Sequence, residues 1–225
     1  MTSSSIFQSA PDKRWEQFTT NIDFCRRMVH SGAALESAAA SQLNLGDLSK
    51  VQHTDLYRAA WVQAISALDH WLHQEIVSRA IAIINDRPTP RPDRLKGYAV
   101  SWETVEDMQN RSIDDVMTEH MTERLARDSY QKPDRIAEGL QYVTQKKQGQ
   151  IWKEVAQVLG SEQTVDQVKQ RQTDIAIRRN WIAHEADIEH LTGTRRPITA
   201  SQTTSTIDWV ENLAAAIRTV LNQSI

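Results

Sequence analysis

Apolar residues recur along most of this chain at intervals of three and four, the spacing that gathers them on one side of an α-helix. From Lys13 to about Ala40, Trp15, Phe18, Ile22, Cys25, Met28 and Val29 form one such face, and the part after Gly32 is rich in small residues. The longest uninterrupted pattern runs from about Asp55 to Asn85, with Leu56, Trp61, Ile65, Leu68, Leu72, Ile76 and Ile83 on its apolar side and Thr54 placed to cap its start. Ala59, Ala60, Ala64 and Ala67 leave room for a neighbouring helix, so this segment is expected to be the central helix of a bundle. It must stop at Asp86-Arg87-Pro88-Thr89-Pro90-Arg91-Pro92, because proline offers no N–H and clashes with the preceding turn. That stretch reads as a rigid surface connection.

Beyond it the elements shorten. Ser101 and Ser112 look like caps for helices over 102 to 110 and 113 to 127, the second with Asp115 three residues past its cap. Pro133 and Asp134 open a helix expected to reach about Gln148, and a short one over 151 to 159 is stopped by Gly160. Thr164 with Gln167 resembles a capping box that starts a long helix to about Ile188. The last helix places Ile207, Val210, Ala214, Ile217 and Leu221 on one side. No segment alternates with period two, and neither an internal repeat nor a domain-separating linker is visible. The reading is one all-α domain over 13–225, preceded by a Ser-rich flexible tail over 1–12, with a turn-rich link at 41 to 53 around Asn44, Gly46 and Asp47.

Composition narrows the function. A chain of 225 residues with 40% hydrophobic content can bury a sizeable core, and only seven Gly and six Pro suit a helical protein. The formal net charge of -3 argues against a protein that holds nucleic acid through a broad basic surface, so any such contact must be local. Between residues 169 and 196 the balance reverses, since Lys169, Arg171, Arg178, Arg179, Arg195 and Arg196 outnumber Asp174, Glu185, Asp187 and Glu189. One cysteine, Cys25, excludes an intrachain disulfide and a thiolate zinc site. Neither a membrane-length apolar run nor a signal-peptide pattern is present, so a cytoplasmic protein is expected.

Candidate chemistry concentrates in residues 171 to 190, RQTDIAIRRNWIAHEADIEH. On a helix, Ile177, Trp181 and Ile188 fall on one stripe that also carries His184; Asn180 neighbours His184 at i, i+4, and Arg179 lies at the stripe's edge. Spacing alone favours the plainer reading, with His184 as a core histidine satisfied by a hydrogen bond and Arg178-Arg179 as a solvated pair. Other chemistries fit poorly. His184-Glu185 lacks the second histidine that a zinc-protease helix needs, because position 188 is Ile. His70 and His73 are three apart without a carboxylate at matching spacing, so no metal and no cofactor are expected. A Gly-rich phosphate loop and a Gly-x-Ser-x-Gly elbow are absent, and Cys25 has no base beside it.

Arg179-Asn180-Trp181-Ile182-Ala183-His184 resembles the Arg, four to six residues, His signature of the HEPN superfamily, including the polar residue directly after the arginine. The flanking RRNWIAHEAD and the upstream LYRAAWVQAISALDHWLH from Leu56 to His73 are similar to its RiboL-PSP-HEPN branch, over roughly residues 54 to 190. This resemblance implies a HEPN-like helical bundle with additional short helices. It also implies a metal-independent endoribonuclease, acting as a homodimer on RNA and often paired with an antitoxin or a defence-system partner in prokaryotes. Arg179 and His184 would then be catalytic, with Asn180 orienting His184 or binding a phosphate oxygen. Asp69, bordering the apolar stripe of the central helix, would pair with Arg179 or fix the His184 tautomer, unless it merely faces solvent beside Leu68. Arg178 and Arg171 are the expected RNA contacts. Catalytically silent members make a binding or dimerisation scaffold the alternative. Inhibition by nucleotidyl transfer to a tyrosine two residues after the histidine is not expected, because that position is Ala186.

Overall fold

Small residues along one long helix decide how the others assemble. In a computed structural model that describes residues 13–41, 46, 50–87, 90–160 and 162–223, this helix is α2 (His53–Asp86), preceded by α1 (Lys13–Ala40). Then follow α3 (Asp93–Lys96), α4 (Trp102–Asn110), α5 (Ile113–Leu125), α6 (Pro133–Leu140), α7 (Gln148–Leu159), α8 (Val165–His184) and α9 (Ala200–Asn222). The fold is all-α, and the described residues contain no strand beyond one isolated bridge, Ile188 with Arg195. The expected tail over 1–12 and most of the link between 41 and 53 lie outside the described residues.

Helices α1, α5, α6, α8 and α9 all pack against α2. Its alanines at 60, 64 and 67 are buried together with Ile65, Leu68, Trp71, Leu72 and Ile76, so neighbouring backbones come close while the larger side chains fill the spaces between. The Trp71 ring lies 5.6 Å from that of Trp15 and 5.7 Å from that of Phe18, which fastens α1 to the middle of α2.

Helix ends follow local chemistry where a cap is present. The Ser101 side chain accepts from the Thr104 N–H, Pro133 occupies the first turn of α6, and Gly160 ends α7 at φ 126°. Thr164 and Gln167 form the expected capping box, and Thr199 with Gln202 forms a second one at the start of α9. Other boundaries differ from expectation. α2 starts at His53 with Gln52 before it, so Thr54 lies inside the helix, and Ser112 makes no capping bond. α3 arises within the connection after α2, and α5 ends at Leu125.

The helix expected to run to Gln148 ends at Leu140. The N–H groups of Tyr142 and Val143 turn back to the carbonyls of Gly139 and Leu140, and this turn tucks Tyr142, Val143 and Thr144 inside. Gly139 permits it. A Cβ there would stand 2.7 Å from Tyr130 Cε1 and 2.8 Å from Ile76 Cδ1, and both neighbours are buried. Gly139→Ala should therefore lower unfolding free energy by about 1–3 kcal/mol despite alanine's better helix propensity, through overpacking. Urea denaturation checks this, and an unchanged or raised midpoint would show that the contact yields.

Candidate functional site

The rotation of α8 about its own axis is fixed by polar groups in the core. Val168, Gln172, Ile175 and Ala176 are its buried residues. Gln172 is fully enclosed: its Nε2 donates to the Gln131 carbonyl at 2.7 Å and its Oε1 accepts from Trp209 Nε1 at 3.0 Å. Trp61 Nε1 adds a bond to the Ile175 carbonyl at 3.2 Å. The core stripe therefore runs through Val168, Gln172 and Ile175, and Arg179 falls next on it. The stripe expected from Ile177, Trp181, His184 and Ile188 is not the inner face. Ile177 and Trp181 are half-buried, while His184 and Ile188 are exposed.

Arg179 is half-buried. Its Nη1 donates to Asn180 Oδ1 at 3.3 Å, and its Nε is buried with no hydrogen-bond partner among the described residues. Asn180 thus engages the arginine rather than His184. The His184 imidazole stands exposed in the last turn of α8, and among the described residues no hydrogen bond reaches it. At about 100° per residue, five residues put Arg179 and His184 about 140° apart around the helix. Within one chain they are neighbours along the axis but do not face each other.

The helix expected to reach Ile188 instead ends at His184, and Ala186 and Asp187 adopt φ of 49° and 61°. Few residues other than Gly, Asn and Asp take this conformation readily. It is held because the turn sends Asp187 inside, to 0% exposure. There Asp187 Oδ2 accepts from Arg58 Nε and Arg178 Nη2, each at 2.9 Å, while Oδ1 has no partner among the described residues. The two guanidiniums also donate to the Arg196 carbonyl, at 2.8 Å from Arg58 and 3.4 Å from Arg178. Arg196 bonds the Ile188 carbonyl through Nη1, and its guanidinium lies 4.2 Å over the Trp181 ring. Burial, with added repulsion from Arg196 and Arg58, pulls the Arg178 guanidinium below its ordinary value against the opposing pull of Asp187.

This clamp was not foreseen, and it changes the role of Arg178 from an expected RNA contact to one arm of a buried ion pair. A signal was present. Arg58 lies seven and fourteen residues before Ile65 and Leu72, so a charge sits on the buried side of α2.

The remaining expected site residues are dispersed. Arg171 is exposed, donates to Ser205 Oγ at 3.0 Å and stacks at 4.4 Å over Trp209. Asp69 neither pairs with Arg179 nor touches His184. It accepts from the Tyr130 N–H at 2.6 Å and from Gln131 Nε2 at 3.2 Å, tying the turn before α6 to α2. His73 bridges two backbone carbonyls, those of Asp69 at 2.7 Å and Leu125 at 2.9 Å. Among the described residues no three His, Cys, Asp or Glu side chains converge as metal ligands.

Two outcomes follow. Asp187→Ala leaves two guanidiniums without their carboxylate and should cost about 3 kcal/mol of unfolding free energy. Arg195→Ala, which removes the exposed pair with Asp55, should cost under about 1 kcal/mol. Equal effects in urea denaturation would show that the clamp carries no special weight. Cys25 is buried, and desolvation pushes its thiol up to about 11, so at pH 8 it remains protonated. A thiol-disulfide reagent should label it only after denaturant is added, and rapid labelling of the folded protein would contradict this.

Compared with known protein families, curated proteins and solved structures, the chain matches none.

Proposed function

We propose that the chain is a metal-independent endoribonuclease whose active cleft forms where two copies meet, each contributing Arg179 and His184. The observation that carries this reading is an imidazole left exposed and, among the described residues, unbonded, at a helix end which a buried ion cluster holds in place. RNA brings its own nucleophile, so the chemistry needs only a base, an acid and charge stabilisation.

One His184 takes the proton from a ribose 2′-hydroxyl, whose oxygen then bonds to phosphorus. The bond from phosphorus to the 5′-oxygen breaks as the His184 of a second copy, protonated, donates to that oxygen. A 2′,3′-cyclic phosphate and a 5′-hydroxyl result. Arg179, steadied by Asn180, holds two non-bridging oxygens as charge builds on them. Two imidazoles are needed because one cannot be acid and base in the same step, which gives dimerisation a chemical purpose. A prokaryotic defence or toxin–antitoxin setting fits this activity, with a partner protein restraining it.

A second reading, a catalytically silent scaffold that dimerises and binds RNA, a nucleotide or a protein partner, is favoured by the divergence of Arg179 and His184 and by the partial burial of the arginine. The two are separated by incubating a defined RNA with wild-type and His184→Ala protein in the presence of chelator. The nuclease cuts under chelation, leaves a 2′-deoxy linkage intact, and loses about a hundredfold or more of its rate in the variant. Cleavage of the 2′-deoxy linkage, or equal rates in both proteins, rules the nuclease out; absence of cutting with retained binding leaves the scaffold.

A further inference from the structure

Between α8 and α9 lies a groove of about 700 Å³ that Arg179, Asn180 and His184 do not line. Trp61, Ile175 and Ile198 give it apolar surface, and Arg171 and Arg178 bring it positive charge. These two arginines are seven residues apart on α8, so two turns place them on one side of the helix, about 10 Å from each other along its axis. The one acid among the lining residues, Asp174, already accepts from Gln170 Nε2 at 2.7 Å.

Both arginines are anchored on one side and open on the other. Each makes all its hydrogen bonds to the described residues through Nη2, Arg171 to Ser205 and Arg178 to Asp187 and to the carbonyls of Arg196 and Pro197. Among the described residues Nε and Nη1 of both have no hydrogen-bond partner. Arg171 also lies 4.4 Å over the buried Trp209 ring, and a planar cation seated on an indole keeps its outer face for a second ring. Arg178 differs in having too much positive charge around it. Burial, with repulsion from Arg196 and Arg58, weighs against its charge beyond what Asp187 restores, so an anion beside it would be welcome. Trp61 spends its Nε1 on the Ile175 carbonyl and so offers the groove only ring surface.

We infer that this groove binds one nucleotide unit, its base stacked on the outer face of Arg171 and its phosphate held by the open donors of Arg178. A base at one end and a phosphate at the other suit two arginines set two helical turns apart, with apolar surface between them. The same unit can come as a free nucleoside monophosphate or as one residue of a single-stranded RNA. The inference goes beyond the nuclease reading and does not need it, since no residue of that site lines the groove.

The test is calorimetric titration of the full chain with AMP, adenosine and inorganic phosphate, in low and in high salt. One AMP should bind per chain, at least about tenfold more tightly than adenosine or phosphate, because stacking and charge both contribute, and it should weaken as salt rises. Arg171→Lys keeps the charge but loses the planar stack, so AMP affinity should fall about tenfold, toward that of phosphate. Ser201→Trp, an exposed change that fills the groove, should reduce it by a similar factor, while Glu189→Gln, outside the groove, should change nothing. Circular dichroism on each variant shows that it is folded. Hexa-adenylate, titrated into His184→Ala protein so that cutting plays no part, separates the two sources. Binding tighter than AMP, with AMP competing, makes the strand the ligand; weaker binding makes it the free nucleotide. The proposal is overturned if millimolar AMP gives no saturable heat, if adenosine or phosphate binds as tightly, or if Ser201→Trp binds like wild type. Binding is read here without cleavage, so either this groove or the nuclease can fail while the other stands.

Discussion

A single carboxylate shared by two guanidiniums governs the end of this molecule where α8 stops. Asp187 has no exposure, and alone at that position it would be intolerable; between Arg58 and Arg178 it becomes a fastening. Three segments are joined there: the start of α2, the last turns of α8 and the strand-like return through Arg196 toward α9. The unusual backbone at Ala186 and Asp187 follows from it, since the chain must turn sharply to deliver the carboxylate inward. His184 is thereby left where the helix stops, exposed and, among the described residues, without a hydrogen-bond partner. Its freedom is a by-product of its neighbour's confinement.

A second constraint of the same kind acts farther along α8. Gln172 occupies a core position and satisfies its amide on both sides, through the Gln131 carbonyl and the Trp209 indole. A buried amide with only one orientation that meets all its partners sets the angle of the helix more sharply than interchangeable aliphatic contacts do. Since Gln131 also bonds Asp69, α2, α8, α9 and the turn before α6 are linked through one polar relay. Small apolar residues on α2 let the helices come close, and these amides and carboxylates select among the arrangements that close packing allows.

What could be read from the sequence divides along the same line. The all-α class, the central helix, the proline stop and the capping box at Thr164 depend on local spacing and local hydrogen bonds, which a linear pattern records. The end of α6 depends on a turn whose benefit lies in burying Tyr142 and Val143 elsewhere in the core, so periodicity ran past it. The inner face of α8 was misplaced for a related reason. Ile177, Trp181 and Ile188 look like a core stripe when counted alone, but a polar residue, Gln172, marks the true one. Arg178 was read as an RNA contact and Asp69 as a partner of Arg179 or His184, whereas the turn that carries Asp187 to Arg178 and the distant bonds from Arg58 and to the Tyr130 backbone depend on the assembled fold. Arg179 and His184 were identified as a pair by their motif, but their directions around the helix follow only from the packing.

The bond from Arg58 to Asp187 connects residues 129 positions apart. During translation Arg58 leaves the ribosome long before its carboxylate exists, and α8, although it can start early from its own capping box, cannot have its final turn fixed until the segment through Arg196 has followed. A nascent chain therefore holds the arginine and histidine of the motif without the framework that orients them. Whatever this end of the protein does is withheld from the polypeptide until nearly all of the described fold has been synthesised.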